Sequence, residues 1–151
     1  MEMITTYSAD LVTHYILDYY QNVLKTGVNN LALQKLLYFI QLEFIINHKK
    51  ICFNDEIEAW GFGPVIPNVY HKYDKYGSNI ILRSECEYVG NIADEDKNII
   101  YAVIDQYKIF SNAELMSMSM ETEPYIRSYK KWTSPNVISI KLIKECYNIN
   151  K

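Results

Sequence analysis

The side chains in this 151-residue chain with the most obvious capacity for chemistry are three histidines, three cysteines and a run of acids. His48 and Cys52 stand four apart, a separation that could bring an imidazole and a thiolate to one metal. That spacing crosses an expected helix end and no second pair follows, so the pair reads as incidental and no metal is expected. His14 and His71 read as surface or boundary residues. Asp94, Glu95 and Asp96 fit the first turn of a helix, where carboxylates meet the positive end of the dipole, better than an acid/base pair. The chain has no G-x-S-x-G, no P-loop and no H-E-x-x-H. Its "GFG" at residues 61–63 lacks a third glycine and runs into Pro64, so it is no dinucleotide fingerprint. Nothing nominates a nucleophile, a general base or a cofactor, and an enzyme is not expected. Cys52, Cys86 and Cys146 are odd in number, far apart and without a CxxC, which points to reduced thiols and a cytoplasmic setting.

Two segments carry a more informative pattern. In "LQKLLYFIQ", residues 33–41, a helix would put Gln34, Tyr38 and Gln41 on one face, at i, i+4 and i+7. This polar ribbon crosses an otherwise apolar helix that Asn29 or Asn30 would cap and that runs to about Asn47. The ribbon is either a seam whose glutamines bond neighbouring backbone or a recognition face, and the pattern alone favours the seam. The second segment, "EAWGFGPVIPNVY" at residues 58–70, reads as a strand-to-helix corner. Glu58 and Trp60 share one strand face and Ala59 takes the other. Gly61 and Gly63 allow positive φ or close approach, while Pro64 and Pro67 stiffen the exit and start a helix carrying Tyr70. Stiff backbone beside Trp and Tyr suits a binding surface, because little entropy is lost on docking. It equally suits a core corner.

The remaining elements are mostly helical. Ser8 caps an expected helix over residues 9–25 with Gly27 as its stop, and residues 50–60 alternate as a short hairpin around Asn54 and Asp55. A helix from Pro67 ends near Gly77, residues 78–90 allow one or two short strands, and Asp94 caps a helix to about Phe110. "SNAE" at residues 111–114 is a capping box. Pro124 and Pro135 each open a further helix. The expected fold class is mainly α: a compact helical domain with a small β-hairpin, one domain over residues 1–151 without a separate DNA-binding domain. A net charge of −3 with scattered basic residues argues against direct nucleic-acid binding. The first residues show no signal-peptide pattern, and the apolar run at residues 36–47 is too short to span a bilayer.

The two segments together resemble the Panacea domain, also called SocA-like or GepA-like. Its members often read L-Q-K-L-L-Y-F-x-Q and then x-A-W-x-x-G-P-V-x-P-x-V-Y, matched here at residues 33–41 and 59–70. "ADLVTHYIL" at residues 9–17 is similar to the family's opening helix, so the resemblance spans roughly residues 8–145. A later family stretch, Leu-Ser-x-x-Thr-His-x-Glu-x-Pro-Trp, departs here: Ser119, Met120, Thr122 and Tyr125 stand where Thr, His, Glu and Trp are usual, while Pro124 matches. The resemblance implies an antitoxin that neutralises a small protein toxin by direct binding. Its alternatives are an adaptor handing a toxin to an AAA+ protease and an orphan phage or prophage protein. No nucleic-acid or membrane partner is implied, and homo-oligomerisation is left open. The candidate partner-binding residues are Gln34, Lys35, Tyr38, Gln41, Trp60 and Tyr70, with Gly63, Pro64 and Pro67 building the motif. Lys35 is expected to carry a solvated head, and Trp60 to be buried in the core.

Overall fold

Helix α2, Asn30–His48, is the axis of the fold. Its sequence is apolar nearly all round, so it has no face to give to water and must be packed on every side. In the computed structural model, which describes residues 3–149, every side chain from Asn30 to Ile45 except Leu31 and Glu43 is buried. Asn29 stands in extended backbone and its side chain accepts the amide of Ala32 at 3.0 Å, which starts the helix. Lys49, in the left-handed conformation, ends it by returning its amide to the carbonyl of Phe44.

Helix α1, Ala9–Asp18, is capped by Ser8 and packs on α2 through Val12 and Ile16. Beyond Asp18 the expected regular helix gives way to a π-helical stretch, Tyr19–Val23, and the chain turns at Lys25 with φ 57°. Gly27 is therefore not the stop. It lies against Ile80, whose Cγ2 a Cβ at residue 27 would meet at 2.3 Å. Isolated bridge pairing of Asn29 with Ile80 is the sole β-pairing in residues 78–90.

The β structure is split differently from the expected hairpin. Strand β1, Thr5–Tyr7, pairs in parallel with β2, Ile51–Phe53, all three of whose residues are buried. Asp55 does not build a tight turn. Its carboxylate accepts the amide of Ala9 at 2.9 Å and the side chain of Asn68 at 3.0 Å, so it ties α1 to the following helix. The hairpin lies further on, between β3, Glu58–Trp60, and β4, Gly63–Val65. Strand β5, Asn136–Val137, adds to the other side of β3. Pro135 thus precedes a strand, and Ser139 caps the last helix, α7, Ile140–Cys146.

Helix α3, Pro67–Tyr73, starts on Pro67 and passes through a 3₁₀ turn, Asp74–Tyr76, to Gly77 at φ 58°. Helix α4, Asp94–Tyr107, has Asp94 as its first residue and Ala93, which offers no side-chain cap, before it. Helix α5, Asn112–Met120, shows the capping box of Ser111 and Glu114. Helix α6, Glu123–Ser128, carries Pro124 in its first turn. Helices α1, α3, α4, α5 and α7 and strands β2 and β4 surround α2. The fold is mostly helical with small sheets. Among the described residues no helix is long and apolar enough to cross a membrane.

Candidate partner-binding site

The β3–β4 corner sits on the side of α2 that carries the polar ribbon. Strand alternation turns Ala59 into the core and leaves Glu58 and Trp60 outside. The small side chain of Ala59 lets β3 lie close to the core, and Trp60 accordingly does not enter it. This corrects the expected burial of the indole: Trp60 is half-buried, with its Nε1 donating to Glu58 Oε1 at 2.8 Å. Its ring meets Tyr70 edge-on at 5.1 Å, Phe62 edge-on at 5.7 Å and His71 at 6.2 Å between centroids. Tyr125 clamps the strand from behind by donating its hydroxyl to the carbonyl of Trp60. The result is a partly exposed aromatic face of Trp60, Phe62 and Tyr70 on short, braced backbone.

The other four candidates lie fully inside. Gln34 accepts the amide of Ile66 at 2.9 Å and donates to Asn30 Oδ1 at 2.9 Å, while Asn30 donates to the carbonyl of Tyr70 at 3.0 Å. Gln41 accepts the amide of Cys52 at 2.8 Å and donates to the carbonyl of Phe53 at 2.6 Å. Each glutamine thus supplies a donor and an acceptor from α2, and both serve backbone that helices and ladders leave unpaired. The hydroxyls of Tyr38 and Thr122 lie 2.6 Å apart. Thr122 spends its own proton on the carbonyl of Ser119, so Tyr38 is the donor, and burial pushes its pKa well up. None of these three side chains reaches the surface, so none can touch a partner docked on the outside.

Lys35 is the larger correction. Its head is not solvated: the residue is 0 % exposed. Nζ donates to the carbonyl of Pro64 at 3.0 Å and lies 5.0 Å from the centroid of the Phe62 ring. Burial, with no carboxylate beside it, lowers its pKa from 10.5 to about 7. Gly63 makes the slot for this amine. At its φ of 113° a Cβ would stand 2.9 Å from Lys35 Cε, 3.0 Å from Nζ and 3.0 Å from Ser119 Oγ. Gly63→Ala adds backbone strain, about 1–3 kcal/mol, to overpacking of similar size. Chemical denaturation is expected to show a loss of roughly 2–6 kcal/mol. A variant as stable as the parent would mean the turn relaxes freely.

Beside the aromatic face, and continuous with it through Phe62 and Tyr70, runs an open groove of about 530 Å³. Leu31, Ala113 and Met116 give it an apolar floor, with Asp74 at its edge. Phe62 and Met116 escaped the sequence reading. The available signal for Phe62 was an aromatic ring placed between two glycines, where it has no strand to join. Three of the four positions that depart from the family pattern pack here: Ser119 on α5 stands beside Gly63, Thr122 at the start of α6 bonds Tyr38, and Tyr125 bonds Trp60.

The groups singled out first do other work. His48 Nε2 meets Glu43 Oε2 at 3.2 Å, while Cys52 is buried in β2. Burial alone would raise the carboxyl of Asp96, but hydrogen bonds from Lys50 at 2.8 Å and Tyr7 at 2.6 Å outweigh it and hold it below the usual range. Asp94 pairs with Lys97 at 3.1 Å. Among the described residues no group of three His, Cys, Asp or Glu could hold a metal ion.

A mostly helical fold thus presents a braced aromatic face beside an apolar groove. The family described as "Antitoxin SocA-like, Panacea domain" matches residues 33–125, from the polar ribbon to Tyr125, and the chain belongs to it. Antitoxin SocA of Caulobacter vibrioides (strain NA1000 / CB15N) is 44% identical over 55 residues, which is 36% of this chain and 29% of that protein. The aligned part thus spans less than a third of the length of that relative. No solved structure matches the chain.

Proposed function

We propose that this chain is an antitoxin that neutralises a cognate protein toxin by direct contact, with Trp60, Phe62 and Tyr70 as the contact face. Family membership supports the antitoxin role. The observation that carries the contact face is the partly exposed Trp60 ring, packed on Phe62 and Tyr70 and held by Glu58 and Tyr125. Large aromatic side chains on fixed backbone dominate protein interfaces because they bury much area and lose little freedom on docking. The buried ribbon below supplies rigidity: Gln34 and Asn30 fix the carbonyl of Tyr70 and the amide of Ile66, and Lys35 fixes Pro64.

Growth rescue tests this reading, with the cognate toxin induced in cells that express the antitoxin. Trp60→Ala is expected to abolish rescue. Its stability cost should fall below the ~3–5 kcal/mol of a fully buried aromatic, since part of the residue stays exposed. Loss of an interface anchor costs about 2 kcal/mol or more in binding. A well-folded Trp60→Ala protein that rescues growth like the parent would remove Trp60 from the contact. Toxin half-life in the same cells separates blocking from delivery to an AAA+ protease. Direct neutralisation leaves the half-life unchanged or longer, and delivery shortens it.

A further inference from the structure

A buried lysine without a carboxylate is an expensive arrangement, since an unpaired ammonium loses its hydration and gains only neutral partners. Lys35 nevertheless sits at the one point where α2, the β3–β4 turn and α5 meet. It bonds the carbonyl of Pro64, lies over the ring of Phe62, and with Ser119 fills the space a Cβ at Gly63 would need. Of these, Phe62 belongs to the aromatic face and Pro64 leads directly into the helix that carries Tyr70.

We infer that Lys35 is a positioning residue for the aromatic face: through the Phe62–Gly63–Pro64 turn, gain or loss of its proton sets how Phe62 and Trp60 are held. The ammonium is the stronger donor to the Pro64 carbonyl and the only form the Phe62 ring attracts. The neutral amine keeps a weaker hydrogen bond and no ring attraction. The lost hydration of the buried ammonium outweighs both gains, so the closed turn favours the neutral amine and is held on the alkaline side of the transition and strained on the acid side. Burial brings that transition close to neutrality. The inference rests on the proposed contact face for its biological meaning, but the geometry concerns the free protein.

No charged side chain competes for the amine. On β4, Gly63 and Pro64 carry none; on α5, Ser119 donates its hydroxyl to the carbonyl of Met116 at 2.7 Å; on α2, the nearest titratable group one turn away is Tyr38, bonded to Thr122. Among the described residues Lys35 has no ion pair. Around the aromatic face itself the titratable groups are Tyr70 within it, Glu58 on the indole, His71 and Asp74 on α3 and its 3₁₀ extension, and Tyr125 and Tyr129 behind β3.

The test is a pH titration of the free protein by NMR in a His71→Gln background, which removes the one neighbouring imidazole. Two signals are followed, the Lys35 Cε carbon and the Trp60 indole N–H. Trp132, which is 87% exposed and distant in sequence from this corner, serves as the internal reference. The expected result is a Lys35 transition across neutral pH with a Trp60 shift at the same midpoint, while Trp132 does not follow it. Lys35→Met should abolish that Trp60 transition. A Lys35 carbon that does not titrate across neutral pH overturns the inference, and so does a Trp60 shift with a different midpoint or one that survives in Lys35→Met. The comparison of midpoints needs no Lys35 variant, so it decides the matter even if Lys35→Met fails to fold. Failure here with normal growth rescue would leave the contact face standing, whereas loss of the contact face in rescue assays would leave the titration result untouched.

Discussion

Gln41→Leu is expected to cost roughly 2–6 kcal/mol of folding stability, because it orphans two buried backbone groups at about 1–3 kcal/mol each. Gln41 accepts the amide of Cys52 and donates to the carbonyl of Phe53, and β2 is buried, so water cannot replace either bond. Leucine has similar volume and fills the site, which leaves the polar loss as the main effect. Against a total of about 5–15 kcal/mol for a typical domain, the variant would be marginal. Gln106→Leu on the exposed side of α4 is the control and should stay within ~0.5 kcal/mol of the parent. Equal denaturation midpoints for the two variants would show that β2 does not depend on α2 for its hydrogen bonds. Hydrogen exchange gives a second readout, since the Cys52 amide should lose its protection in Gln41→Leu before global unfolding sets in.

The polar ribbon illustrates how far the residues speak for themselves. That Gln34, Tyr38 and Gln41 share one face follows from helix geometry, and that glutamines on an apolar helix bond backbone follows from the cost of leaving them unpaired. Which backbone they bond does not follow, because Ile66, Cys52 and Phe53 arrive from other segments by tertiary folding. Lys35 was misjudged for a related reason. A lysine normally keeps its head in water, and only the left-handed Gly63, twenty-eight positions away in sequence, opens the slot that takes it.

The corner at residues 58–65 was readable in outline and not in depth. Alternation correctly separates Ala59 from Glu58 and Trp60, but it does not say which side is the core. Trp60 is expected inside and the structure selects Ala59, because a strand lying on a crowded helix leaves room for a methyl group. The hairpin was misplaced because Asn54 and Asp55 are strong turn residues, yet Asp55 turns out to be committed to Ala9 and Asn68. Local caps fared better where the partner lies within one helical turn. Asn29 and the Ser111–Glu114 box act as read, whereas Asp94 is displaced by one position and Pro135 enters a strand whose partner, β3, is remote in sequence.

Protonation of Lys35 should also be written into the stability of the whole protein. Its pKa is 10.5 when solvated and about 7 in the fold. Between those values the unfolded chain holds a proton that the folded chain does not, so the unfolded state binds more protons and stability rises with pH. The contribution is complete above the solvated value and is lost as pH falls through the folded one. Within the interval the slope approaches ~1.4 kcal/mol per pH unit for a single group. Other groups limit where this can be seen. Burial raises the Cys52 thiol well above its ordinary 9.0, and it raises Tyr20 to about 12, so both begin to destabilise the fold as the unfolded thiol and phenol ionise. The clean window therefore runs from about pH 7 to about pH 9, and across it the parent should gain roughly 2–3 kcal/mol from Lys35. Lys35→Met carries no proton in either state and should be flat over the same window, apart from terms shared with the parent. The measurement is a series of urea denaturations of both proteins at closely spaced pH, read as the difference between their curves. If that difference does not change from the neutral to the alkaline end, the Lys35 amine keeps its proton in the fold, and the Pro64 carbonyl and the Phe62 ring compensate its lost hydration in full.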